Sequence, residues 1–335
     1  MTAGESTSSS HRLGFAVKVL GAKGLPSHDM RRWQSGPHLR HSLERLRAIL
    51  DYLDSNDIRM YRLATALAPY ASHPQLTQFR GQVEECADEL AAVGRLARER
   101  DIRLSSHPGQ YTVLNSTDAD VQASAVAELE VQAALFDAMG LEPEAVVVLH
   151  VGGTAGGVAA ACDRFRAGFE LLSDAARRRL VIENDDRSFG TLDVVQLAER
   201  TGLRVVWDVL HHHCHDPAGM SDREALEAAL ASWPDDLTPK IHYSSPRLDT
   251  EIRRLRRGRR VEQQIVLPQL RAHADLIDPI GFERFMLDVS RERDFDVMLE
   301  AKAKDLALLR LRDQLAARGL GALDGRLMVP PRLVG

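Results

Sequence analysis

Cysteine is scarce in this chain: Cys86, Cys162 and Cys214 are the only three in 335 residues, odd in number and far apart. They make no disulfide framework, which points to a reducing compartment and a cytoplasmic protein. No apolar run approaches the roughly 18 residues needed to cross a membrane. Residues 1–12, MTAGESTSSSHR, lack the apolar centre of a signal peptide and read as a flexible tail. Net positive charge is missing too. A formal charge of −5 and a pI near 6.2 exclude a uniformly basic nucleic-acid binder, though not a local basic surface. The glycines of 152-GGT and 156-GG lack the lysine and spacing of a P-loop, so no nucleotide cofactor is expected.

What is present is a rhythm. Short apolar runs at 13–19, 58–63, 102–107, 145–151, 179–185, 204–208, 240–244 and 296–300 read as strands. Between them, apolar residues recur every three or four positions over 38–56, 81–100, 120–140, 160–178, 191–202, 221–233 and 301–319, the signature of amphipathic helices. Eight strand–helix pairs running one way imply parallel strands joined by helical crossovers. Both a doubly wound sheet and a barrel alternate in this way. The count of eight, and a length above the roughly 250 residues typical of such barrels, favour an α/β (β/α)8 TIM barrel. We expect one barrel over 13–318 and a loosely packed tail over 319–335, which is rich in Gly and Pro. The segment 244–295 is long and irregular, and its pattern assigns no helix.

Catalytic groups of such barrels sit at the carboxyl ends of the strands. Those ends carry His73, His107, His150, Glu183, Asp208 with His211, His242 and Glu300, and His273 lies in the long crossover after the seventh strand. One histidine at a strand end is ordinarily a hydrogen-bonded core residue. So many imidazoles and carboxylates aimed at one mouth require cations, because unpaired buried charges cost several kcal/mol each. In 207-WDVLHHHCHDP, the spacing of Asp208 and His211 lets both reach one site, with His212 behind them and His213, Cys214 and His215 left as solvated loop. Oxygen and imidazole donors suit Mn²⁺ or Zn²⁺, and the lack of converging cysteines argues against a structural zinc site. Such ions acidify water and clamp phosphoryl or carbonyl oxygens. Phosphodiester hydrolysis leads, with sugar isomerisation or epimerisation on the same barrel as the alternative.

The blocks 71-ASHP, 103-RLSSHPGQY, 147-VVLHVGG, 182-IENDD, 208-DVLHH, 239-PKIHYSS, 272-AHADLID and 298-MLEAKAKD resemble UV damage endonucleases, in order over roughly residues 12–310. Members of that family are related in fold to endonuclease IV and xylose isomerase. The resemblance implies a single cut in duplex DNA immediately 5′ to cyclobutane pyrimidine dimers, 6-4 photoproducts and some abasic sites. It implies a cluster of up to three divalent ions, commonly Mn²⁺, with Zn²⁺ and Mg²⁺ as alternatives. Its ligand set falls on His73, His107, His150, Glu183, Asp208, His211, His242, His273 and Glu300. Of these, Glu183 and His211, together with Lys240, are our catalytic candidates. Lys240 stands where the family has a lysine that can be carboxylated, and the sequence leaves its state open.

Gln110 and Tyr111 match the pair that enters the duplex at the lesion, where poorly stacked bases cost less to extrude. Without the resemblance they read as a turn whose tyrosine caps a pocket. Phe15 replaces a tyrosine common in the family near the metals. It can stack or pack but cannot donate a hydrogen bond, so lesion preference is open. We place it among the DNA-contacting residues. Arg253, Arg254, Arg256, Arg257, Arg259 and Arg260 crowd the long crossover. A single-sign run of that kind at the mouth fits phosphate binding better than a solvated helix face. The pair Arg31 and Arg32 beside Trp33 is either a further contact or a packed loop anchor. Damaged double-stranded DNA is thus the expected partner, and access to a barrel mouth requires only a monomer.

Overall fold

The computed structural model describes residues 8–258, 260–289 and 293–330. Eight parallel strands form the barrel: β1 (Ser9–Ala16), β2 (Met60–Arg62), β3 (Arg103–Ser105), β4 (Val147–His150), β5 (Leu180–Glu183), β6 (Arg204–Asp208), β7 (Lys240–Tyr243) and β8 (Asp296–Leu299). Parallel pairing runs β3–β2–β1–β8–β7–β6–β5–β4. The ring closes at the β3/β4 seam through the Ser106↔Val147 bridge, where Val148 N–H donates to the Ser106 carbonyl (2.9 Å).

Successive side chains on a strand face opposite ways, so each strand serves two cores. Phe15, Leu104, Val147, Leu149, Ile182, Trp207, Ile241 and Leu299 point outward and pack with Leu43, Leu46 and Ile49 of the helix Leu39–Ser55 and its counterparts around the ring. The inward faces form smaller clusters, Ala16 with Met60 and Met298, and Val146 with Val148, Val181 and Val206. Gly14 lies on this inner face. A Cβ there would stand 2.7 Å from the Met60 side chain, so glycine lets β1 and β2 approach.

Both expected tails are corrected over their described parts; residues 1–7 lie outside the described residues. β1 begins at Ser9, not at residue 13, because His11 and Arg12 are buried rather than solvated. His11 Nδ1–H donates to the Phe295 carbonyl (2.6 Å), and Arg12 pairs with buried Asp296. At the other end, Arg326–Val329 pairs antiparallel with Ser9–Arg12 and also with Ala322–Leu323, burying Leu327 and Val329. Residues 331–335 lie outside the described residues. The helix expected over 81–100 is broken at Cys86 into Gln82–Glu85 and Ala87–Glu99. The long crossover holds an antiparallel ribbon, Glu251–Arg257 with Arg260–Val266, followed by the helix Pro279–Val289. No helix among the described residues is long and apolar enough to cross a membrane.

Candidate metal centre

Glu183, the last residue of β5, faces into the barrel with no solvent exposure, and imidazoles surround it. His242 Nδ1 from β7 is 2.9 Å from Oε1, and His107 Nε2 from the loop after β3 is 2.9 Å from Oε2. His150 Nε2 at the end of β4 and His211 Nδ1 follow at 3.7 and 3.5 Å. Glu300, just past β8, lies 3.5 Å from His242 Nδ1 and 3.6 Å from His273 Nδ1. Their ligand atoms form three overlapping groups, each within 4.8 Å: His107, His242 and Glu300; His107, His150 and Glu183; Glu183, Asp208 and His211.

The Asp208/His211 spacing has a local cause. Asp208 caps the short helix Val209–Cys214, with Oδ1 accepting the His211 backbone N–H (2.8 Å), so residues 208 and 211 share one face of the first turn. The other oxygen, Oδ2, is buried with no donor. Asn184 locks the turn from β5. Its side chain takes the Asp208 N–H and returns a bond to the Asp208 carbonyl, while its own carbonyl accepts His211 Nδ1–H (3.1 Å). That bond leaves His211 Nε2 as the ligand atom.

The pocket is short of donors. Glu183 Oε2, Asp208 Oδ2, His150 Nδ1 and His242 Nε2 are all buried without a hydrogen-bond partner, the contact from His107 to Glu183 lacking hydrogen-bond alignment. Such orphaned lone pairs are costly, and a bound cation removes the cost. The charges reflect the crowding. Burial pushes the Asp208 carboxyl up to about 7, with Glu183 and Glu300 adding and His211 opposing. Burial opposes charge on His211, but Asp208, Glu183 and Glu300 raise it to about 9. Burial drives His242 down to about 4. Burial also penalises Glu183, yet His242, His150 and His107 hold it well below the usual carboxylate range. An all-oxygen-and-imidazole donor set with convergent, unpartnered acceptors fits divalent ions.

Of the expected ligands, His107, His150, Glu183, Asp208, His211, His242 and Glu300 come together, with His273 at the rim. His73 does not. Its Nδ1 accepts the backbone N–H groups of Gln75 and Leu76, and it lines a cleft of about 420 Å³ with Gly109 and Tyr111. His212 is buried away from the cluster, bonded to Thr191 Oγ1 and the Met220 carbonyl. His213 pairs with Asp222, and Cys214 is exposed. Lys240 lies one layer below His242, fully buried, with Nζ donating to Ser105 Oγ (3.0 Å). Burial, helped by Arg62 and Arg103, holds its pKa well below that of a free lysine.

Gln110 and Tyr111 sit exposed on the turn after His107, Tyr111 at 83%. Phe15 is corrected: it has no exposed surface and stacks edge-on against Tyr61 outside the barrel wall, so it contacts no DNA. Arg31 is tied to buried Asp29 (2.6 Å) and to the carbonyls of Ser35 and Gly36, while Arg32 and Trp33 are exposed. Arg253, Arg254, Arg256 and Arg260 are exposed on the ribbon. The Arg257 side chain and Arg259 lie outside the described residues. Sequence reading missed Arg62, the last residue of β2, whose guanidinium contacts Glu300. Its one signal was an arginine at the end of a strand.

Residues 38–323 match the family described as UV-endonuclease UvdE. The chain belongs to that family. A UV DNA damage endonuclease of Bacillus cereus (strain G9842) is 30% identical over 294 residues, covering 87% of this chain and 86% of that protein. The crystal structure of SacUVDE superposes with a TM-score of 0.77 at 29% identity, covering 92% of this chain and 99% of the other. D-Psicose 3-epimerase from Clostridium cellulolyticum H10 matches at a TM-score of 0.50 and 12% identity, over 81% of this chain and 91% of its own, and shares the fold alone.

Proposed function

We propose that this UvdE-family chain is a metal-dependent repair endonuclease. It nicks damaged duplex DNA immediately 5′ to cyclobutane pyrimidine dimers, 6-4 photoproducts and some abasic sites. The observation that carries the reading is the set of buried acceptors without donors, at the mouth of a barrel belonging to this family. His107, His150, Glu183, Asp208, His211, His242, His273 and Glu300 would hold up to three divalent ions, with Mn²⁺ the leading candidate. The resemblance adds His73, which stands apart from these residues with Nδ1 held by backbone N–H groups. The ions supply an acidified water and neutralise charge on the phosphoryl oxygens. In the net reaction, water adds to the phosphorus 5′ to the lesion and the bond to the 3′ oxygen breaks, leaving a 3′-hydroxyl and a 5′-phosphate.

The chain's own residues orient and exclude. Asn184 fixes the ring of His211, and Glu183 fixes His242. Burial lowers the Lys240 pKa, which favours the neutral amine that adds CO₂, and we assign the residue as a carbamate; intact mass at neutral pH against acid-treated protein checks it. Gln110 and Tyr111 enter the helix where the damaged bases leave it. The 83% exposure of Tyr111 supports a probe over a packed cap. Replacing both with alanine is expected to lower the preference for damaged over intact duplex about tenfold, through lost stacking.

The deciding experiment is cleavage of an end-labelled duplex carrying one cyclobutane dimer, with Mn²⁺ and with chelator. The expected product is a single Mn²⁺-dependent cut directly 5′ to the dimer. Metals bound but no cut at dimers, 6-4 photoproducts or abasic sites turns the site over to sugar isomerase or epimerase chemistry.

A further inference from the structure

The crossover after β7 leaves the barrel as a closed arm. At its base, Pro246 bridges His273, Arg247 N–H donates to the Ala272 carbonyl (2.7 Å), and Ala274 N–H to the Ser245 carbonyl (2.9 Å). His273 at this base is 3.6 Å from Glu300, so the arm springs from the rim of the metal centre. Beyond the base, among the described residues, Glu251–Arg257 and Arg260–Val266 pair only with each other.

Pleat alternation puts Ile252, Arg254 and Arg256 on one face, opposite Ile265, Gln263 and Val261. Ile252, Val261 and Ile265 are 65, 56 and 69% exposed, and no described part of the chain covers them. An uncovered two-stranded ribbon with apolar faces invites aggregation unless it has a partner. Its charge says which partner. Residues 252–266 hold six arginines against Glu262, five net positive charges in a chain of formal charge −5.

We propose that this ribbon is a duplex-gripping arm that lies in a groove of the undamaged DNA flanking the lesion. A two-stranded ribbon fits the roughly 12 Å major groove. There the arginines meet phosphates, and the isoleucines and valine meet sugars and base edges. Seven residues at about 3.4 Å each reach about 24 Å, or some seven base pairs beyond the mouth. The proposal rests on the endonuclease reading but is tested without cutting.

The experiment is binding of metal-loaded full-length protein to an intact duplex across a salt series, with hydroxyl-radical footprinting and sedimentation. Arg254→Gln/Arg256→Gln/Arg260→Gln is expected to lower the salt slope by about 2–3 and to remove about seven base pairs of protection from one flank. Ile252→Thr/Ile265→Thr is expected to weaken binding several-fold at unchanged slope. Both should melt as wild type does, since the ribbon lies off the core. An unchanged slope and footprint in the arginine variant overturn the arm. So does a wild-type dimer that these variants split, because the ribbon would then pair with a second copy. Wild type that grips intact duplex but leaves damaged DNA uncut defeats the endonuclease reading while the arm stands.

Discussion

At the amino-terminal end of the barrel interior, Asp296 accepts the Arg12 backbone N–H, Arg12 Nη1 and Arg103 Nη1, so both its oxygens are taken. The buried atoms without partners there are donors, Arg12 Nε and Arg103 Nη2. At the carboxyl end the shortage is reversed. Glu183, Asp208 and Glu300 face Arg62 and a ring of imidazoles, and the carboxylate oxygens Glu183 Oε2 and Asp208 Oδ2 are without donors. One end of the same barrel has closed its charges on themselves, and the other has left lone pairs converging on a common space. The first arrangement holds strands together. In the second, a bound cation would relieve the unpartnered carboxylate oxygens.

Breaking the comparison at the top gives the largest expected effect. Glu183→Gln removes a residue shared by two of the ligand groups and should cut nicking by roughly a thousandfold or more. The amide adds donors to an acceptor-rich pocket, so thermal unfolding in chelator should be unchanged. Near-normal nicking would take Glu183 out of the chemistry. At the bottom, Asp296→Asn should do the opposite. It removes the one carboxylate that Arg103 pairs with among the described residues and leaves Arg12 with the half-exposed Asp101, and should cost about 3–5 kcal/mol in urea unfolding while the folded fraction stays active. A variant as stable as wild type would mean the pair is ornamental.

His73→Ala sharpens the boundary of the top. With Nδ1 tied to backbone, this histidine should matter less than Glu183, lowering nicking about 10–100-fold with partial metal loss by elemental analysis. The smallest effect is one of pH. Burial raises the Asp296 carboxyl, but Arg103 and Arg12 outweigh it and hold it below its ordinary value. Its contribution is therefore complete above the unfolded pKa of about 3.9 and is lost as pH falls through the lower folded value. The stability gap between wild type and Asp296→Asn should be full at pH 6 and shrink in urea unfolding near pH 3.

The eight barrel strands were legible because each is a short, largely apolar run, and several end on a charged or imidazole residue. Arg204–Asp208, for example, stops at a buried aspartate. Most of the ligand set was legible for the same reason. The ribbon was not, since arginines crowd out the alternation that marks a strand. The terminal strap was hidden by polar residues at 9–12 and by Gly and Pro after 319, since His11 and Arg12 are buried only through pairing with a partner strand far away in the chain. Phe15 was misplaced because its face depends on register. Residues 13 and 15 of β1 look toward the helices, while 14 and 16 look inward. Arg62 stayed unseen because its meaning depends on Glu300, 238 positions away.

The strap that joins Ser9 to Val329 in register also has a topological meaning. It makes the polypeptide close to a ring fastened at the end of the barrel away from the metal centre. Joining the two strands through a short linker and opening the chain at an exposed turn elsewhere should give a circular permutant with its catalytic mouth intact. A tag or fused domain placed at the strap would stand clear of approaching DNA.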